Sequence, residues 1–99
     1  MEITKEISGE GVTMFLSGRL DSVAAAEFSK EIDAIGPDVS ELVLDCGKLS
    51  YVSSAGLRIF LVAQKRMARR KGMKLRNVQG QVMEVFGMTG FEDLLDIEK

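Results

Sequence analysis

Apolar and polar positions alternate over the first twenty residues as they do in short β-strands. The pattern predicts strands at 2–7 and 12–17, and Gly9 and Gly11 supply the turn between them. A pair of short strands joined by such a turn is typical of a hairpin. Gly18 is expected to end the second strand.

A helical period replaces the alternation in the segment DSVAAAEFSKEIDAIGP, residues 21–37. Asp21 or Ser22 is expected to cap the first turn, and Gly36 with Pro37 to end the helix. The apolar positions that recur at helical spacing are Ala25, Phe28, Ile32 and Ile35. This stripe predicts one buried face.

The rest of the chain predicts two more strands, two more helices and a short amphipathic end. A near-continuous apolar run at 42–44 is typical of an inner strand. The other predicted elements are a helix at 53–71 ended by Gly72, a strand at 73–78, a brief helix at 80–86, a turn at GMTG (87–90) and the amphipathic stretch FEDLLDI (91–97). This order predicts an α/β fold with a mixed sheet of four to five strands, helices mainly on one face, and one domain over 1–99.

Composition narrows the possible functions. The 99 residues are 45% hydrophobic and 28% charged, which is typical of one soluble globular domain. The net charge of −2 gives no bulk attraction to nucleic acid. The single cysteine, Cys46, excludes a disulfide framework and is expected to be a small buried hydrophobe.

Three further classes of feature are not expected from the sequence. Without histidine and with one cysteine, no metal site is expected. The N-terminus has no apolar core of a secretory signal, and no apolar run approaches the ~20 residues that cross a bilayer. We therefore expect a cytoplasmic protein without membrane insertion.

Two consecutive serines, Ser53 and Ser54, stand where a strand and a polar loop lead into the second helix. A serine at a helix start is a favoured cap, so one of the two is able to cap while the other stays free. At about 100° per residue, Ser53 lies at the edge of the sheet-facing stripe and is the better cap. Ser54 lies opposite it, in line with Arg58 and Leu61, and is expected to be the exposed hydroxyl. The stripe itself comprises Gly56, Ile59, Phe60, Ala63 and Met67. A phosphate on the exposed serine would be tolerated near the helix N-terminus.

An enzyme is disfavoured by the same residues. A serine nucleophile needs an adjacent base, yet the chain has no histidine and no lysine three residues after either serine. The sequence also lacks a G-x-S-x-G elbow, a G-x-G-x-x-G motif and a P-loop. No catalytic residue is therefore predicted.

A basic cluster follows the serines, with seven cationic residues between positions 65 and 76. Its members are Lys65, Arg66, Arg69, Arg70, Lys71, Lys74 and Arg76. Such a cluster attracts phosphates, but no aromatic residue is interleaved to stack bases. Cations also suit a helix C-terminus. Direct nucleic-acid binding is not expected. Binding of an acidic partner protein by this cluster is left as an alternative.

The segment LVLDCGKLSYVSSAGLR, residues 42–58, resembles the signature loop of the STAS domain, in particular that of bacterial anti-sigma-factor antagonists. The matching positions are Asp45, Leu49, Tyr51, Val52, Ser54, Gly56 and Leu57. GRLD at 18–21 and the C-terminal GMTGF with Leu94, Leu95 and Ile97 are also similar to the family. The chain differs from many antagonists at Ser53, where they have an acid, and at Ala55, where they have serine or threonine.

The resemblance implies a binding module controlled by phosphorylation. The unmodified protein would bind an anti-sigma factor that is also a serine kinase, and so regulate transcription indirectly. The kinase would phosphorylate Ser54, with Ser53 as second choice, and a serine phosphatase would reverse the reaction. The expected partner-binding residues are Asp21, Ser54, Gly56, Arg58 and Leu61. No cofactor is implied, and a monomer or weak dimer is expected.

An alternative stays within the same family. STAS domains also serve as subunits that regulate membrane transport assemblies, including lipid ABC transporters. The small domain fits that role as well. Neighbouring genes for a kinase-type anti-sigma factor or for a transporter would distinguish the two.

Overall fold

The computed structural model describes residues 1–98. It consists of a four-stranded sheet with helices on one face. The strands are β1 Glu2–Ser8, β2 Gly11–Leu20, β3 Glu41–Val52 and β4 Gly72–Arg76. The helices are α1 Ser22–Asp33, α2 Ser54–Met67 and α3 Gly80–Thr89, followed by a 3₁₀ turn at Phe91–Asp93. None of the helices in residues 1–98 is long and apolar enough to cross a membrane.

The strands lie in chain order, β1-β2-β3-β4, with β1 antiparallel to β2 and the other pairs parallel. Because β2, β3 and β4 step across the sheet in one direction, right-handed crossovers place α1 and α2 on the same face. Ile97 forms an isolated parallel bridge with Leu75 of β4, which begins a fifth strand. The predicted mixed sheet of four to five strands is confirmed.

The core lies between the sheet and the helices. Phe60 of α2 makes edge-to-face contacts with Phe28 of α1 and Phe86 of α3, at centroid distances of 5.4 and 5.5 Å. The whole predicted stripe of α1 is buried. Cys46 is also fully buried, and burial together with the charge of Asp45 raises the pKa of its thiol to about 12. The cysteine is thus the small buried hydrophobe that was expected.

β3 is much longer than the predicted run at 42–44. It continues to Val52, so the segment expected to be a polar loop is strand. The pairing with β2 shifts at two points, and at each β3 contributes one extra residue, as in a β-bulge. Gly18 lies at the second bulge with φ 101°. The prediction that Gly18 ends β2 was wrong, because the bulge lets the strand continue to Leu20.

The ends of the later elements also differ from the prediction. α2 ends at Met67 rather than at residue 71. β4 ends before Asn77, which has a left-handed φ of 58°. α3 continues to Thr89, so most of the predicted GMTG turn is helical. Only Gly90, with φ 78°, has the left-handed conformation that ends a helix.

Asp45 ties the first bulge of β3 to the end of β4. Its carboxylate accepts hydrogen bonds from the Gly47 backbone N–H at 2.9 Å, from Arg76 Nε at 3.2 Å and from Asn77 Nδ2 at 3.1 Å. Burial alone would raise the pKa of Asp45, but these hydrogen bonds and the Arg76 charge outweigh it and lower the pKa below the ordinary 3.8. The ionised form therefore stabilises the fold.

The first turn of α2 lies against the end of β2. A Cβ on Gly56 would sit 2.6 Å from Leu20 Cγ and 3.1 Å from the Leu20 carbonyl oxygen. The Ser53 N–H donates to that same carbonyl at 2.8 Å. Glycine is thus required for the close approach of helix and strand.

We predict that Gly56→Ala lowers the free energy of unfolding by about 1–3 kcal/mol, because the added methyl group overpacks the contact with Leu20. Gly80→Ala is the matched control, since no atom lies within 4 Å of a Cβ there. Urea denaturation of both variants measures the difference. Equal stability of Gly56→Ala and wild type would contradict the requirement for glycine.

We predict that Asp45→Ala costs about 1–3 kcal/mol at neutral pH, because three donors lose a charged acceptor. A carboxyl whose folded pKa is depressed stabilises the protein above its unfolded pKa, and this stability is lost as the pH falls through the folded pKa. The difference between wild type and variant should therefore shrink on acidification below about pH 4. Urea titrations at neutral and acid pH test this, and a difference independent of pH would contradict it.

Candidate functional site

The C-terminal ends of β2 and β3 meet, and each leads directly into a helix. Leu20 and Val52 are cross-strand partners, so α1 and α2 begin side by side. Asp21 caps α1, with its Oδ1 accepting the Ala24 N–H at 2.9 Å. Ser53 caps α2, with its Oγ accepting the Gly56 N–H at 3.1 Å. The prediction that Ser53 is the cap is confirmed.

Ser54 is the first residue of α2, and its side chain is exposed. Within residues 1–98 its hydroxyl makes no hydrogen bond, whereas the Ser53 hydroxyl is occupied in the cap. The two serines therefore differ in availability although they are neighbours in sequence. The exposed hydroxyl at this end of the sheet is that of Ser54.

The remaining expected contact residues divide by burial. Arg58, one turn after Ser54, is exposed, and Leu61 is half-buried. Gly56 is buried against Leu20, so it contributes packing rather than a surface contact. Along the predicted stripe, Ile59 is only half-buried. Leu57 is buried in addition, although it lies outside the predicted stripe.

Two features near the starts of α1 and α2 were not singled out from the sequence. Val23, in the first turn of α1, is 83% exposed. Arg19 lies over the ring of its cross-strand partner Tyr51, with the guanidinium carbon 4.2 Å from the ring centroid. Val23 was recognisable as an apolar residue outside the α1 stripe, whereas the Arg19–Tyr51 contact depends on the strand register.

The basic cluster is partly structural. Arg66 and Arg70 donate to backbone carbonyls at the end of α1 and in the α1–β3 connection, at 2.7–3.2 Å. Arg76 pairs with Asp45. The members left exposed without such a role are Lys65, Arg69, Lys71 and Lys74, of which Lys71 lies 3.9 Å from Glu10. The cluster is therefore smaller as a docking surface than its sequence suggests.

Comparison with known proteins identifies the family of this chain. The family model described as "Mlab, STAS domain" matches residues 3–96. BtrV of Bordetella bronchiseptica, which is assigned as an anti-sigma factor antagonist, is 33% identical over 84 residues that cover 83% of this chain and 72% of BtrV.

Solved structures share the fold. The anti-sigma factor antagonist SpoIIAA in its unphosphorylated form matches 99% of this chain and 88% of its own, with a TM-score of 0.76 and 20% identity. The phosphorylated form of SpoIIAA, a cell fate determinant of Bacillus, matches with the same TM-score and identity over 99% and 92%. Together with the family model over nearly the whole chain, these similarities show that the protein belongs to the STAS domain family.

Proposed function

We propose that this protein is an anti-sigma-factor antagonist and that phosphorylation of Ser54 controls its binding to the anti-sigma factor. The observation that carries the proposal is the exposed, unoccupied hydroxyl of Ser54, which lies in the segment that resembles the family's signature loop. The similarity to BtrV supports the antagonist role. The protein would act as one STAS domain and as a regulatory binding protein rather than an enzyme.

The surface around Ser54 is suited to a protein partner. Val23 supplies exposed apolar area, Arg58 supplies a cation, and Asp21 stands at the adjacent strand end. Leu61, half-buried on α2, extends this surface along the helix. Large apolar and arginine side chains provide much of the binding energy of protein interfaces. We define Asp21, Val23, Ser54, Arg58 and Leu61 as the docking surface.

A phosphate on Ser54 would act at this surface by charge and desolvation. It adds roughly −1.5 to −2 charges to a surface that already includes the Asp21 carboxylate. The helix itself would tolerate the group, since the first turn of α2 contains no acidic residue and its N-terminus favours an anion. Binding would thus weaken without refolding. SpoIIAA shares the fold of this chain in both its unphosphorylated and its phosphorylated form, which supports a modification that preserves the fold.

The proposed function involves two partner proteins and a location. An anti-sigma factor with serine kinase activity would bind the unmodified protein and phosphorylate it, and a serine phosphatase would restore it, in the cytoplasm. No cofactor and no direct contact with nucleic acid are involved.

Regulation of a lipid ABC-type transporter is the alternative for a STAS domain. Mass spectrometry of proteins captured by the wild-type chain would separate the two, since the first gives a kinase-type anti-sigma factor and the second a transport ATPase.

We predict that the cognate kinase with ATP modifies Ser54 and not Ser53. Ser54→Ala should lose the phosphopeptide signal in mass spectrometry. Ser53→Asn is the matched control, because asparagine keeps the helix cap without offering a hydroxyl, and this variant should still be modified. Modification retained in Ser54→Ala and lost in Ser53→Asn would assign the site to Ser53 instead.

We predict that Ser54→Asp, Arg58→Glu and Val23→Asp each weaken binding to the anti-sigma factor at least about tenfold, because each places a charge in the docking surface. Arg69→Glu is the control, since it is exposed and lies roughly 20 Å from Ser54 at ~1.5 Å per residue. Titration calorimetry measures binding, and thermal melts establish that each variant is folded. A larger loss in Arg69→Glu than in Arg58→Glu would locate the partner on the basic cluster.

A further inference from the structure

Arg58 is the one charged residue in the first two turns of α2. The helix begins at Ser54, and the sequence SAGLRIFL over 54–61 contains no acid and no other cation. Arg58 is exposed, and among residues 1–98 it takes part in no ion pair. In the same part of the chain, the arginine side chains that donate hydrogen bonds are those of Arg66, Arg70 and Arg76. The Arg58 guanidinium is therefore available to an anion.

The position of Arg58 on the helix directs its side chain toward Ser54. Residues i and i+4 are neighbours on a helix surface, with their Cβ atoms about 5–6 Å apart. Side chains on a helix point back toward its N-terminus, so each covers the turn that precedes it. Ser54 and Arg58 have this spacing, and both are exposed. A group attached to the Ser54 hydroxyl would thus lie within reach of the guanidinium.

We propose that a phosphate on Ser54 pairs with the Arg58 guanidinium of the same helix. This inference rests on the proposed function, which identifies Ser54 as the modified residue. A guanidinium presents its N–H donors in a planar fork that matches two oxygens of a phosphate. An anion four residues before a cation is also the favoured order of such a pair, because it agrees with the helix dipole.

The start of α1 lacks this arrangement, although it resembles the start of α2 in other respects. Ser22 is the first residue of α1 and follows a capping residue, as Ser54 does in α2. Ala26 stands four residues after Ser22, so α1 offers no cation one turn on. The pair is therefore a property of α2 and not of every serine at a helix start.

The pair changes the docking surface in two ways at once. The phosphate adds negative charge, and it also engages the only cation of that surface. An acidic group of the anti-sigma factor that contacts Arg58 in the unmodified protein would meet a phosphate in its place. Ser54→Asp reproduces this state incompletely, because a carboxylate has less charge and fewer acceptor oxygens than a phosphate.

Phosphorus NMR of the full chain with phosphoserine at position 54 tests the pair. Phosphoserine is inserted during translation, so the natural kinase is not needed. A guanidinium beside the phosphate favours its doubly charged form, so the second pKa of the phosphate should be higher in Arg58→Gln than in wild type. The corresponding acid dissociation constant should fall at least about twofold, as expected for an exposed ion pair on a helix. The Asp21 carboxylate and the helix N-terminus are present in both proteins and do not contribute to the difference.

Lys65→Gln is the matched control, because it removes the same charge from an exposed position of α2 roughly 16 Å from Ser54 at ~1.5 Å per residue. Its dissociation constant should equal that of wild type. Arg58→Lys keeps the charge without the planar fork, so its value should lie between those of wild type and Arg58→Gln. Raising the salt from about 50 mM to about 500 mM should reduce the difference. Thermal melts establish that each variant is folded.

A second measurement follows the arginine itself. The phosphate should shift the Nε–Hε signal of Arg58 in proton–nitrogen NMR spectra, and the absence of this signal from Arg58→Gln assigns it. Equal dissociation constants in wild type and Arg58→Gln would overturn the inference, as would an equal change in Lys65→Gln or an unmoved Nε–Hε signal.

Both measurements work without the anti-sigma factor and its kinase, so the pair can be refuted while the proposed function stands. Failure of the kinase to modify Ser54 would instead overturn the proposed function and, with it, the role of the pair in regulation.

Discussion

The contact between the end of β2 and the first turn of α2 determines the geometry of the serine pair. The Leu20 carbonyl accepts the Ser53 N–H, and the Leu20 side chain packs where a Cβ of residue 56 would otherwise be. With the backbone fixed at both points, Ser53 is held in the cap and Ser54 is directed outward. A change in this contact would move both hydroxyls together. The site therefore depends on a packing interaction that contains neither of its polar side chains.

The segment before the serines is held in place by the sheet, although its sequence is polar. Lys48 and Tyr51 pair with residues of β2, and the Ser50 hydroxyl donates to the Gly18 carbonyl at 3.1 Å. Gln81 of α3 donates to the Ser50 carbonyl at 2.8 Å. A segment fixed in this way loses little conformational entropy when a partner binds. A phosphate at its end would then change the charge of a surface whose shape is already set.

Local sequence features predicted the parts of the fold that local interactions determine. The caps at Asp21 and Ser53 and the buried stripe of α1 needed only residues within one or two turns. The extension of β3 depends instead on pairing with Gly18 and its neighbours, thirty residues away. The segment itself is polar, contains one glycine and has no strand-like alternation, so its sequence alone did not predict a strand. The burial of Gly56 likewise follows from Leu20 in another element. The helical period indicated that Gly56 faces inward, yet its place in the family motif assigned it to the partner surface.

The docking surface combines two apolar side chains, an acid, a cation and the exposed hydroxyl of Ser54. In the proposed function its affinity depends on the charge that a phosphate adds at that hydroxyl. Because the first turn of α2 contains no acidic residue and its N-terminus favours an anion, the chain itself would tolerate this charge. The modification would therefore act on the partner and not on the fold.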